Sequence, residues 1–473
     1  MPCEHGAFPR RCARKSRREH FFFLPLPEDE ENKDLGIFIP RKGFKGFFGD
    51  ETPFIKGFFE DETPFFPRKR FTTYFLISLF NYVFMHLTSE QEKMLEGEQG
   101  EMVGRMMRLL TRLGDVYGAE RMIPVASVQV AGVSYKSIGD PGLEFLQDIA
   151  RDARVKVLTY LNPAGMDLEQ WRELGIDESF AEKQLAIIDA FKQMGIVISA
   201  TCTPYLAGNL PRYRQHIAWS ESSAVSFANS VIGARTNREG GPSALAAAIT
   251  GFTPHYGLHL DENRTPHVVI DVQTELATST DFAAMGNFVG REVKNKIPYF
   301  RGLPDAGTDE LKALGAAMAA SGAVALYHAE GLTPEAEQME TEGLEKIAFG
   351  AAELKETYER LNTGDDPDII MFGCPHASLN EIIKIARLTE KGKAKKPFWI
   401  CTSRAVKEIA ERMGLDEKIA EAGGKLVADT CMVVSPIENM FTTTAVNSGK
   451  AAHYLPGFCK QRVVFKSMEE LLS

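Results

Sequence analysis

The chain has no close pair of cysteines: its seven Cys are spread over 473 residues, and their number is odd. That excludes the disulfide framework of a small secreted domain. It fits a reducing compartment in which thiols pack, react or bind metal, so the expected location is cytoplasmic. An excess of positive charge is lacking as well. Lys and Arg total 54 against 64 Asp and Glu, a formal charge of -10, whereas a general nucleic-acid binder is ordinarily basic. No apolar run reaches the roughly 20 residues a transmembrane helix requires. The nearest approach, Phe71-Thr-Thr-Tyr-Phe-Leu-Ile-Ser-Leu-Phe-Asn-Tyr-Val-Phe84, has no small-residue cleavage site after it and too long a basic lead for a signal peptide.

What is present is a globular composition, 44% hydrophobic and 25% charged, in a chain long enough for two or three domains. It is not uniform. Residues 1–84 hold 17 of the 31 Phe, with 14 Lys/Arg against 12 Asp/Glu. They also contain a tandem repeat, Lys45-Gly-Phe-Phe-Gly-Asp-Glu-Thr-Pro-Phe54 and Lys56-Gly-Phe-Phe-Glu-Asp-Glu-Thr-Pro-Phe65. Two copies are too few for a solenoid, which needs about three. This segment reads as a poorly ordered appendage, with Met85 a candidate natural start. Removing its +2 from -10 leaves -12 for residues 85–473.

From there the pattern is strand, loop, helix, repeated. A helix is expected over 88–115, with Ser89 and Glu92 as its capping box. Met122–Ala131 reads as a strand running into the small-residue turn Gly132-Val-Ser-Tyr-Lys136, whose N–H groups could face an anion. Val155–Leu161 is a strand ending at Asn162-Pro-Ala-Gly165, and Gly195-Ile-Val-Ile-Ser-Ala200 has the β-branched content of a buried strand ended by Pro204. Gly240-Gly-Pro242 suits a helix start, where Arg235 and Arg238 offer either an anion site or surface charge. Strands are also expected at 268–272, 322–328, 369–373, 397–401 and 426–429. The fold class is α/β: a multi-domain architecture of largely parallel sheets flanked by helices, with tentative parts at 85–264 and 265–473.

Three cysteines fall where such strands end. Cys202 lies in Ala200-Thr-Cys-Thr-Pro-Tyr205, Cys374 in Gly373-Cys-Pro-His-Ala-Ser378, and Cys431 in Asp429-Thr-Cys-Met432. Cys401 shares the position. Strand C-terminal ends are where α/β folds gather ligands. Three thiolates meeting there can hold a Zn²⁺ with an open position or three irons of a cluster with one iron left open; each alone can equally be a packed structural residue. With 172 and 57 residues between them, spacing does not choose.

These stretches carry a resemblance. Gly132-Val-Ser-Tyr135, Asn162-Pro163, Thr201-Cys-Thr-Pro-Tyr205, Ala218-Trp-Ser-Glu-Ser-Ser-Ala224, Gly233-Ala-Arg-Thr-Asn-Arg-Glu-Gly-Gly-Pro242, Gly373-Cys-Pro-His376, Ala428-Asp-Thr-Cys-Met432 and Asn447-Ser-Gly-Lys450 occur in the order found in the catalytic large subunits of the aconitase X family. The similarity runs from Leu87 to about Ser467 and leaves out residues 1–84. It implies a hydro-lyase with an iron–sulfur cluster, [4Fe–4S] or a smaller one, held by Cys202, Cys374 and Cys431. It also implies substrate contacts at Gly132, Val133, Ser134, Asn162, Pro163, Glu221, Ser222 and Lys450. Ordinary aconitases place two ligands in a C-x-x-C, which is missing here.

In this family a small swivelling domain, fused or on a second chain, supplies the proton-accepting serine. Only 23 residues follow Lys450, so the resemblance implies a separate small subunit and half of an active site on this chain. The separate-subunit layout implies (R)-5-phosphomevalonate as substrate, dehydrated to trans-anhydromevalonate 5-phosphate. The alternatives are cis-3-hydroxy-L-proline or another small hydroxy acid and, in a different class, a non-catalytic metal-binding scaffold.

Overall fold

The first core strands begin where Gly residues stop the N-terminal helices. The computed structural model describes residues 85–473, which fall within one compact unit; the Phe-rich extension expected at 1–84 lies outside the described residues. The helix expected over 88–115 is two helices, Ser89–Glu96 and Glu101–Tyr117. Gly97 and Gly100, at φ of 86° and 114°, break it, because only Gly takes such angles without strain. Its capping box is Thr88 with Gln91, one residue earlier than Ser89 with Glu92.

Three parallel sheets follow in chain order. In the first part, β1 (Met122–Pro124) pairs antiparallel with β5 (Phe252–Pro254), while β2 (Ser127–Val130), β3 (Leu158–Leu161) and β4 (Ala218–Trp219) form a parallel sheet in the order β3-β2-β4. The second sheet is β8-β7-β6-β9, from β6 (Val268–Val272), β7 (Pro298–Arg301), β8 (His328–Ala329) and β9 (Glu345–Phe349). The third is five-stranded, β12-β11-β10-β13-β14, from β10 (Ile369–Phe372), β11 (Phe398–Thr402), β12 (Gly424–Ala428), β13 (Thr443–Val446) and β14 (Arg462–Phe465). Both faces of β10 and β11 are buried, as a helix-covered parallel sheet requires. Among the described residues no helix is long and apolar enough to cross a membrane.

Two expected strands are corrected. Residues 195–200 make only a single bridge, Val197 to Tyr160. The Ser199 hydroxyl bonds both the N–H and the carbonyl of Leu161 at 3.0 Å, replacing main-chain pairing, and Ala200 turns to φ 38°. Pro204 opens a 3-10 turn, Pro204–Leu206. At 322–328 the helix Thr308–Gly322 runs on, and only His328–Ala329 pairs. Side chains take the intervening main-chain groups: Asn229 donates to the Ala325 carbonyl, and Tyr327 N–H donates to Ser230 Oγ.

Candidate active site

Parallel strands deliver their following loops to one edge, so the five-stranded sheet brings distant residues together there. Cys374 lies two residues past β10, Cys431 three past β12, and Ser448 two past β13. Gly373, at φ 90°, begins the Cys374 loop, where a Cβ would stand 2.0 Å from the Cys401 carbonyl. In the first sheet Gly132–Ser134 follow β2, Asn162–Pro163 follow β3, and Glu221 follows β4. The two edges are joined through main chain: Ala164 N–H donates to Asp429 O at 2.8 Å, and Cys431 N–H donates to Ala164 O at 3.0 Å. Ser134 Oγ donates to the Val434 carbonyl at 2.7 Å. Gly165 permits that approach, since a Cβ there would lie 2.6 Å from Ser134 Oγ.

The cysteines differ in setting. Cys202 and Cys374 are buried and Cys431 is half-buried; all five described cysteines are unpaired. Burial pushes each of the three thiols up, while the nearby Lys450 ammonium works against it. His376 N–H donates to Cys202 Sγ at 3.1 Å, tying the Cys202 loop to the Cys374 loop. Cys401 belongs to β11 itself and is fully buried.

Lys450 occupies the first turn of the helix Gly449–Cys459, capped by Ser448. Its ammonium contacts the Glu221 carboxylate and donates to Ser223 Oγ at 3.1 Å. Glu221 caps the helix Ser222–Phe227, accepting from Ala224 N–H at 2.8 Å and Ser223 Oγ at 2.5 Å. Burial by itself would raise the Glu221 carboxyl, but Lys450, Ser223 and Ala224 outweigh it and hold it below the usual range. Burial would likewise lower Lys450, yet the charges of Glu221, Cys374 and Cys202 keep it raised. Both groups are therefore ionised near neutrality.

The other expected contacts vary. Ser222 reaches Glu221 at 3.4 Å. Ser134 has its hydroxyl committed, to Val434 O and to Lys136 N–H, and Val133 is core with its carbonyl bonded by Gln184. Gly132 holds φ 82° at the end of β2, and Pro163 is buried in the loop that joins the two edges. Asn162 Oδ1, Tyr205 OH, Gln129 Oε1 and Asn209 Nδ2 are buried without a protein partner. Buried polar atoms seldom stay unpaired, so Asn162 Oδ1, on the loop after β3, suits a polar occupant.

Arg235 is no anion site. It is buried and paired with Asp261 and Glu335, which also holds Arg264, while Arg238 donates to the Ala323 carbonyl. Among the described residues no three His, Cys, Asp or Glu converge so that one metal ion could sit between them. A cluster spreads its cysteines over separate irons and does not need that convergence.

Sequence reasoning assigned no role to His376 or Thr201, nor to the network behind the Cys431 loop. In that network Arg404 bonds Asp167 at 2.7 Å and also contacts Asp429, whose carboxyl burial pushes up to about 6. Nothing local marks these residues, since their partners are remote in sequence.

Comparison with known proteins agrees with this arrangement. Residues 84–262 match the family model described as Aconitase X first domain, 266–359 the second domain and 367–473 the third domain. The chain is 58% identical over 400 residues to a protein of Methanocaldococcus jannaschii named phosphomevalonate dehydratase large subunit, covering 82% of this chain and 99% of that one. A cis-3-hydroxy-L-proline dehydratase of Pseudomonas aeruginosa is 34% identical, covering 81% of this chain and 68% of its own length. Among solved structures, the holo-form of Thermococcus kodakaraensis aconitase X superposes with a TM-score of 0.78 at 49% identity, covering 82% of this chain and 99% of that chain.

Proposed function

The chain belongs to the aconitase X family, and from that premise we propose that it is the large subunit of a dehydratase that converts (R)-5-phosphomevalonate to trans-anhydromevalonate 5-phosphate. The observation that carries the reading is the joining of the Cys202, Cys374 and Cys431 loops by hydrogen bonds, with the buried Lys450–Glu221 pair linking the edges of the first and third sheets. The relatives named phosphomevalonate dehydratase large subunit support the substrate, four of them at 50–58% identity. The hydroxyproline dehydratases stand at 32% and 34%.

The donor set fits an iron–sulfur cluster, in our reading [4Fe–4S], with Cys202, Cys374 and Cys431 as ligands. What supports it is the chemistry of the residues: three thiols on loops bonded to one another, and an N–H aimed at the Cys202 sulfur. Such a group, when bound, supplies a Lewis acid to a departing hydroxyl. The chain's own residues do the rest. Lys450 and Glu221 form a fixed charge pair, Glu221 oriented by Ser223 and by the helix N–H of Ala224. Asn162 Oδ1 is an acceptor without a donor, suited to a substrate hydroxyl. Gly132, Val133, Ser134, Pro163 and Ser222 shape the wall of the same site.

A proton acceptor is the missing part. Glu221 is a weak base, because Lys450 stabilises its charged form. The Ser448 hydroxyl is engaged with the Cys374 carbonyl and Ala451 N–H. We therefore assign the acceptor to a separate small subunit carrying a swivelling domain, in keeping with the relatives named large subunit. The unpaired cysteines support a reducing compartment, which we take as the cytoplasm.

The test is dehydration by the anaerobically loaded chain with and without the small subunit. Phosphomevalonate should turn over only with both present, with a gain of at least about 10²–10⁴-fold, the range of general-base catalysis. Full activity from this chain alone would overturn the shared site. Turnover of cis-3-hydroxy-L-proline in preference would overturn the substrate.

A further inference from the structure

His376 is buried at 1% exposure and reaches all three cysteine loops. Its Nε2 lies 2.9 Å from the Thr430 carbonyl, next to Cys431. A carbonyl only accepts, so Nε2 carries the proton and Nδ1 is the acceptor. Nδ1 lies 3.1 Å from Thr201 Oγ1, next to Cys202, so that hydroxyl donates to it. Thr201 Oγ1 in turn accepts from Thr203 N–H at 3.2 Å, closing the turn around Cys202. The main-chain N–H of His376 donates to Cys202 Sγ at 3.1 Å, and its carbonyl accepts from the buried Lys312 ammonium at 3.4 Å. Cys374 is two residues away on the same loop. Each neutral ring nitrogen is thus used once, with a partner of the right sense, and each partner adjoins a different cysteine.

We propose that His376 is a positioning residue that fixes the separation of the three thiols and, through them, the retention of the cluster. The proposal rests on the reading of Cys202, Cys374 and Cys431 as ligands. Lost ring bonds leave Thr430 O without its donor and Thr201 Oγ1 with only its Thr203 contacts, and the Cys202 and Cys431 loops lose their shared tie. Groups that orient metal ligands from behind typically matter about 10–100-fold in metal affinity.

The full chain is loaded anaerobically with ferrous iron and sulfide, and its visible absorbance is followed during challenge with EDTA. His376→Ala should bleach about 10–100-fold faster than the parent. His376→Gln, which can still offer an N–H to Thr430 O, should recover part of the difference, while the metal-free proteins melt within a few degrees of one another. That separation distinguishes positioning from general packing. Bleaching within twofold of the parent in both His376→Ala and Thr201→Val would overturn the proposal. Where His376→Ala does not fold, Thr201→Val, which removes the donor to Nδ1 together with the hydroxyl's contacts to Thr203, decides: several-fold faster bleaching supports it, and the parental rate overturns it. Cys374→Ala is the control for the underlying reading. If it loads and holds iron as the parent does, or if the parent holds none, the ligand set fails, and the role of His376 falls for that separate reason.

Discussion

The Lys450 ammonium rests against the Glu221 carboxylate across 229 residues of sequence, each of them nearly excluded from water. One comes from the third sheet and the other from the first, so the contact ties the two edges that frame the site. Removing one member of a buried ion pair leaves an uncompensated charge, at a cost of about 3–5 kcal/mol. Glu221→Gln in the metal-free chain should therefore lower the melting temperature by several degrees. The double change Glu221→Gln with Lys450→Met should recover part of that loss. Equal losses in the single and double variants would show that the pair is not the stabilising element.

The cysteines should separate by role. Replacing Cys202, Cys374 or Cys431 by Ala should abolish the brown absorbance of the loaded chain. Cys401 is enclosed in β11, and the Cys459 thiol is engaged with Lys136 Nζ at 3.3 Å and with the Val433 carbonyl at 3.1 Å. Their replacement should leave the absorbance largely intact. Bleaching in Cys401→Ala with retention in Cys431→Ala would refute the ligand set.

Acid should weaken the fold through His259. Burial and the neighbouring His216, His255, Arg264 and Arg235 hold its pKa down to about 3, and its Nδ1 faces His216 Nδ1 at 3.0 Å. The unfolded chain takes up that proton near pH 6.5, before the folded chain does. The stability this neutral ring contributes is therefore complete above about pH 6.5 and lost as the pH falls toward 3, amounting to about 2 kcal/mol by pH 5. Denaturation midpoints at pH 7 and pH 5, compared for the parent and His259→Phe, measure it. An undiminished pH 5 penalty in the variant would assign the acid sensitivity elsewhere.

A chain beginning at Met85 should fold with unchanged thermal stability and activity. The family match begins at residue 84, and the Thr88–Gln91 capping box starts the first described helix. A loss equivalent to about 1–2 kcal/mol, read as a drop of several degrees in melting temperature, would show that residues 1–84 contribute to the fold.

Strand, loop and helix alternation was legible in the sequence, because apolar β-branched runs followed by small or polar turns leave few other solutions. It announced the α/β class and put Cys374 and Cys431 past strand ends, where β10 and β12 place them. That the three cysteines share one site with Glu221 and Lys450 was legible only through family resemblance, since spacings such as 172, 57 and 229 residues carry no local pattern. Residues 195–200 misled because β-branched content reports apolar burial and not pairing, and Ser199 took the bonds a strand would have made. Which residues face one another was decided by tertiary structure alone. Parallel strand order brings the edges of two sheets together, and only there do Glu221 meet Lys450 and His376 meet Thr201 and Thr430. A hydrogen bond or ion pair needs about 3 Å, and no sequence period specifies a distance between loops so far apart along the chain.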